Sequence, residues 1–446
     1  MNGRYTVLAL LLLLSACSDP QSSRHFVQEE LEVWVHYGNE AERRTIQQQV
    51  TRFNDLQDKV RISAVILPSG IYHEQIDEAA VKGNLPDILE IDPDYVGYRA
   101  WQGQLVPIDK LLSDSLRLDL LRSLLQQNMY LGRIYALSPN GRIDILYARR
   151  SLLDQAGITL PSPANSSHRE QLQILNDLLL HLADKTAAVR HSGDRRAAII
   201  ETNSQQGEQW LSEMLLPLLM AGFDKSQPLS AAPEGKKTLA MLQQIRHWYM
   251  AGYFDDQPGD AFIQGRVPLA IATQAELEQY HQAWKDDLVA IPLTTSVSGQ
   301  AHNDLHPGWS WGISRDCRDL RTAMRFIEFL LQPEEILMMA DASATVPASR
   351  SALQMSSQYQ GDQSGIDALL LERDSIRLTA SPAYPQLRTR IDQLIKELSH
   401  GQDARQALMR IQADFAAILA PYQDEGPEQV STPLDTGLSS TASASD

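Results

Sequence analysis

The chain has 446 residues, 43% of them apolar and 21% charged, and carries a formal net charge of −17. That balance belongs to a globular protein with an ample core rather than a disordered chain, and the length suggests two or three domain-sized units. The acidity keeps the chain soluble and argues against nucleic acid or an anionic membrane surface as partner.

The apolar run Val7 to Leu14 follows a single positive charge, Arg4, and ends in the small residues Ser15 and Ala16. A transmembrane helix needs ~20 apolar residues, so this run reads instead as a cleaved secretory signal peptide over residues 1–16. Leu14-Ser15-Ala16-Cys17 resembles the lipobox of bacterial lipoproteins, in which the cysteine is diacylated and becomes the first mature residue. Two acyl chains, at ~0.8 kcal/mol per buried methylene, anchor stably where one binds reversibly. Residues 17–26 are then a tether, and Cys317 is the last thiol, so no intramolecular disulfide can form. Ser18, not aspartate, follows Cys17, and a tether of ~25–30 Å at most keeps the body close to its membrane.

In chain order, "LEVWV" (31–35) alternates as a strand, and Asn39 with Glu42 forms a capping box. The helix it opens places Ile46, Val50, Phe53 and Leu56 on one face. A strand over 60–67, a helix around His73–Lys82 and a strand over 86–92 complete a β-α-β-α-β order, which implies a parallel sheet flanked by helices. Residues 164–255 read as mostly helical. "VPLAIA" (267–272) and "DLVAIPL" (287–293) read as strands of a second sheet, and a helix over Leu320–Leu331 stops at Pro333. The segment 425–446 is rich in Ser and Thr without periodicity and is expected to be disordered.

No H-E-x-x-H occurs. "PEGKKT" (233–238) shares the end of a phosphate loop, but Ser230 stands where its first glycine belongs, and a charged helix start explains it better. "HNDLH" places His302 and His306 four apart, the spacing of a helical zinc pair; Pro307-Gly308 follows at once, so the stretch reads as a loop and no metal is expected. No cofactor or catalytic residue is expected, and the chain is read as a non-enzyme. Carboxylate pairs of the glycosidase kind stay open, because their separation is spatial.

Six stretches, in order, carry a resemblance: "LEVWVHYGNEAERRTIQQQVTRFND", "LPDILEIDPDYVGYRAWQGQLVPIDKLL", "GRIYALSPNGRIDILYARRSLLDQAGITLP", "DAFIQGRVPLAIA", "PGWSWGISRDCRDLRTAMRFIEFLLQPE" and "ATVPASRSAL". Together they resemble the extracellular solute-binding proteins of ABC importers, in the sugar-binding, maltose-binding-like family, over nearly all of 30–420. "ANSSHREQ" (164–171) departs from the family's Thr-Trp-Asp-Glu, and Ala148-Arg149 from its Asn-Lys.

The resemblance implies an α/β fold of two lobes joined by a hinge, each a mostly parallel sheet flanked by helices. It places one lobe at 27–139 and 310–345 and the other at 140–309 and 346–424, with the ligand in the cleft at the carboxyl ends of the strands. The partners it implies are a small-molecule ligand, a sugar above all, and the subunits of an ABC permease. The protein would be a monomer, exported and lipid-anchored on the periplasmic side, at the inner membrane if it transports. A sensor or glycan-scavenging lipoprotein of the same fold, without a permease, is the alternative. The candidate ligand residues are His36, Tyr37, Asn39, Glu40, Tyr72, Asp92, Trp210, Trp309 and Arg350. Several have a plain structural reading beside the functional one: Asn39 as helix cap, Asp92 as turn residue, Trp210 as core and Arg350 as half of a salt bridge. Asp94 and Tyr95, just past the third strand, belong to the same group. In "PGWSWGIS" Trp309 is expected at the cleft and Trp311 in the core, with Gly308 and Gly312 bending the strand between them.

Overall fold

The computed structural model describes residues 29–157, 198–202, 209–221, 233–255, 260–293, 296–297, 300–301, 305–359 and 381–422. The segment 1–16 read as a signal peptide, Cys17, the tether's residues, the part of the 164–255 helical reading that covers 164–197, His302 and the 425–446 tail lie outside these.

The first lobe opens with β1 (Glu29–His36), α1 (Glu40–Asp55), β2 (Val60–Leu67), α2 (Ser69–Lys82) and β3 (Ile88–Ile91). Leu31, Val33 and Val35 are buried on one face of β1, as strand alternation requires. Asn39 caps α1: its Oδ1 accepts from the amides of Ala41 and Glu42, and the Glu42 carboxylate accepts in turn from the Asn39 amide. The helix ends at Asp55, so Leu56 falls on the cap and is 72% exposed, off the face its spacing suggested. α2 begins at Ser69 behind Pro68, earlier than its apolar pattern shows. A single 3-10 turn (Pro93–Tyr95), α3 (Val96–Trp101) and β4 (Ala136–Leu137) follow.

The chain then crosses on β5 (Asn140–Arg142) into a second sheet. Its elements are β6 (Asp144–Arg149), β7 (Ile200–Thr202), α4 (Gln209–Ala221), α5 (Pro233–Ala251), β8 (Phe254–Asp255), β9 (Leu269–Thr273) and β10 (Leu288–Pro292). α5 starts at Pro233, so the "PEGKKT" stretch is a helix start. β11 (His306–Pro307) crosses back to β12 (Ser310–Ile313), α6 (Leu320–Leu330) and α7 (Pro333–Ser343). Pro333 both follows one helix and opens the next, at a position where its missing N–H costs nothing. β13 (Val346–Pro347) crosses a third time, and α8 (Arg350–Met355), α9 (Tyr384–Ser399) and α10 (Ala404–Leu419) follow.

The first sheet has the order β2-β1-β3-β12-β4 and the second β8-β7-β9-β6-β10. Both are mixed. β1 pairs in parallel with β2 and β3, but the returning β12 runs antiparallel to β3 and β4. In the second sheet β6 runs antiparallel to both β9 and β10. The crossing strands form a small sheet of their own, β11-β5-β13. β6 is buried on both faces: Ile145 and Tyr147 join an apolar cluster that continues into the first lobe, while Leu146 and Ala148 face the helices α4, α5 and α9. Among the described residues no helix is long and apolar enough to cross a membrane.

Candidate functional site

The lobes meet where the carboxyl ends of β1 and β3 face α9, α4 and the crossing strands. His36 closes β1. Its Nδ1 lies 2.8 Å from Glu90 Oε2, and its ring stacks on Trp309 with centroids 3.7 Å apart and planes 7° from parallel. His73, in the first turns of α2, stacks on Tyr95 at 3.8 Å, and its plane lies 14° from that of Trp309 at 6.1 Å. One residue from the end of β1, one from α2, one from the turn after β3 and one from the crossing thus build a row of near-parallel rings on the first lobe. Beneath Tyr95 and Tyr98 sits Arg99, fully buried, with Nη1 at 2.6 Å from Asp77 and 2.7 Å from Gln104. Its guanidinium lies 5.7 Å from the Tyr95 centroid and 6.0 Å from that of Tyr98, and so supports the outer end of the row.

The remaining candidates divide. Tyr72 is fully buried; its hydroxyl lies 2.6 Å from the Glu90 carbonyl and 2.9 Å from that of Trp34, so it ties β1 to β3 and touches Trp309 edge-on from below. Asn39 is used up as the α1 cap and by a bond from Nδ2 to the Ala342 carbonyl at 3.2 Å. Glu40 is exposed and paired with Arg43, which also reaches the half-exposed Tyr37 hydroxyl at 3.2 Å. Asp92 caps the 93–95 turn through the Asp94 amide and stands 3.7 Å from His73 Nε2. Trp210 is 5% exposed and packs in the core between α4 and the second sheet, the structural one of its two readings. Arg350 is the first residue of α8, half-buried, and does not line the cavity at Trp309. Trp309 is half-buried, and Trp311 is 1% exposed in the core. Trp309 precedes β12 rather than lying in it, which is why two residues of spacing do not put the rings on one face. Gly312 is required there, since a Cβ would come within 2.5 Å of Ile91 Cδ1 and 3.1 Å of the Tyr135 carbonyl.

The stretch Gly308–Gly312 also spells the Gly-x-Ser-x-Gly of a hydrolase nucleophile elbow. Its serine is not placed for chemistry. Ser310 is fully buried inside β12, and its hydroxyl is spent on Ser138 Oγ at 2.6 Å and the Gly308 carbonyl at 3.1 Å.

The second lobe answers the ring row with charge. Glu213 of α4 receives Arg142 at 2.6 Å, His306 Nε2 at 2.9 Å and Arg388 at 3.4 Å. Burial alone would raise its pKa, but those cations hold it well below the carboxylate range. Asp144, Glu213 and His306 offer ligand-type atoms within 4.8 Å of one another. The Arg142 guanidinium stands among them, 3.4 Å from Asp144, and already supplies the positive charge a metal ion would bring. Arg388 extends across the cleft to Asp94 at 3.7 Å. Glu213, Arg142 and Arg388 carry no motif, and only the three-dimensional fold brings them together.

Two spaces adjoin this meeting point. One, beside His36, Glu90, Asn140 and Trp309, is about 90 Å³, well below the ~300–1,000 Å³ of ligand pockets. The other, about 430 Å³, is a groove between Tyr95, Tyr98 and the α9 residues Gln386, Thr389 and Arg390. With the lobes in contact, a ligand larger than a few waters reaches Trp309 only if they part.

The family model for bacterial extracellular solute-binding proteins matches residues 48–364. The chain belongs to that family. Solved structures share the solute-binding protein's fold at low identity. The sugar-binding protein MalE of Xanthomonas citri gives a TM-score of 0.67 at 15% identity, over 88% of this chain and 98% of that one. The GacH receptor of Streptomyces glaucescens, solved unliganded and with acarbose, gives 0.63 at 18% identity over 88% and 99%. UgpB of Mycobacterium tuberculosis, in complex with glycerophosphocholine, gives 0.63 at 18% over the same shares. No curated protein matches the chain significantly in sequence.

Proposed function

We propose that this solute-binding protein captures a sugar or oligosaccharide between its lobes and delivers it to an ABC importer, without catalysing a reaction. The ring row His36–Trp309 and His73–Tyr95, flanked by Glu90 and Asp92, carries the reading. Flat rings match the C–H faces of a pyranose, and carboxylates accept from its hydroxyls. Structural neighbours described as binding sugars or acarbose support that chemistry. The lobes would divide at the crossings, 27–139 with 310–345 and 140–309 with 346–424, and the monomer would be tethered through lipid on Cys17.

Uptake is the test. Deleting the gene should abolish energy-dependent accumulation of one sugar; unchanged uptake of every sugar would favour the sensor or scavenging reading. Ser18 after the lipidated cysteine is a specific observation on that second side, because inner-membrane retention familiarly uses aspartate there. Density-gradient fractionation separates the two: transport requires inner-membrane material, and recovery in outer membranes alone would overturn it. Cys17→Ser should release the chain from either membrane.

A further inference from the structure

The contact between the lobes holds more carboxylates than cations. The first lobe brings Asp92 and Asp94; the second brings Glu213, Asp144 and Asp392, set around Arg142 and Arg388. Asp94 reaches the second lobe through Arg388 alone, at 3.7 Å, and that guanidinium is already shared with Glu213 at 3.4 Å and Asp392 at 3.5 Å. His73 faces Asp92, the Tyr384 hydroxyl lies beside Arg388, and Arg142 stands behind Glu213. When α9 docks on the 93–95 turn, Asp94 is therefore held, half-buried, between Asp92 and Glu213, with a shared Arg388 and the more distant Arg142 to offset them. Such crowding favours one proton among the carboxylates.

We propose that closure of the lobes is proton-coupled, with Asp94 taking up the proton as the cleft shuts. The inference rests on the reading of the cleft as one that opens and closes. Burial and then Asp92 push Asp94 up to about 7 in the closed arrangement, with Arg388 pulling the other way. With the lobes apart, Asp94 keeps Asp92 beside it but sheds the burial that contributes most to the shift, so its pKa falls back toward the ordinary carboxylate value. Closure then binds a proton between those two values, so it is favoured as pH falls from 8 and gains nothing more below the ordinary carboxylate pKa. A ligand that binds by closing the lobes inherits the same dependence. His36–Glu90 lies within the first lobe, and His306–Glu213 joins a crossing strand to the second lobe, so neither pair breaks when the lobes part.

Spin labels on Leu118→Cys and Met409→Cys, exposed sites at 76% and 54% on the two lobes, with the free Cys317 replaced by serine, report the interlobe distance without any ligand. The closed-to-open ratio of the wild-type background should rise on the order of tenfold from pH 8 to pH 5.5. Asp94→Asn should show the same ratio at both pH values, close to that of the wild-type background at low pH. An unchanged wild-type distribution, or an Asp94→Asn variant that keeps the wild-type response, would overturn the proposal. Because no solute is added, failure here is distinct from failure of the sugar reading.

Discussion

Trp309 and Trp311 differ by two positions and by their whole environment. Trp309 stacks on His36 at the cleft, and Trp311 lies in the first-lobe core. Trp309→Ala should cost about 1–3 kcal/mol of ligand binding with little loss of stability, whereas Trp311→Ala should cost ~3–5 kcal/mol in denaturant melts. Normal binding and an early melt for Trp309→Ala would reverse the roles. His36 adds a pH dependence. Burial acts to lower its pKa, but the Glu90 carboxylate outweighs burial and the net shift is upward. A raised histidine stabilises the fold fully below its unfolded value near 6.5, and the contribution fades as pH rises through the higher folded value. Melts at pH 6 and pH 8.5 should therefore show a loss in the wild type that His36→Gln lacks. The sequence showed Asn39 as a cap because its partners are two and three residues away. It could not show that the Tyr72 hydroxyl is spent, since those carbonyls belong to strands 38 and 18 residues away.

Among the elements, local chemistry was legible and long-range pairing was not. β2 has the bounds its alternation predicts, and the capping box sets the start of α1. Asn39→Ala should cost about 1–2 kcal/mol by chemical denaturation and leave ligand affinity intact; lost affinity at unchanged stability would favour the ligand reading of Asn39 over the cap. The expectation of parallel sheets missed β12, whose antiparallel return to β3 joins residues more than two hundred apart. Residues 164–255 read as mostly helical with Trp210 as the residue of note, yet the α4 side chain that meets the crossing strands and α9 is Glu213. Truncating one partner of a buried ionic cluster leaves the others unpaired, so Glu213→Ala should cost ~3–5 kcal/mol in denaturant. Its depressed pKa means that the stability it supplies is present above the ordinary carboxylate value and is lost as pH falls through its own lower one. Acid melts of the wild type and variant should converge at low pH.

At the scale of the molecule, the two-lobed architecture was legible because six stretches in the right order survive in a chain 15–18% identical to its structural neighbours. The ligand was not legible, because the cleft is assembled from β1, β3, α2, α4, α9 and three crossings that no local pattern connects. The central claim is that this assembly binds a sugar, and a thermal-shift screen across mono-, di- and oligosaccharides tests it most directly. A solute at a hundred times its dissociation constant stabilises the native state by about 2.7 kcal/mol, which should raise the melting temperature by several degrees. The account predicts that at least one sugar does so for the wild type and far less for Trp309→Ala. A panel in which no sugar shifts the melt, or in which Trp309→Ala responds as the wild type does, would contradict it.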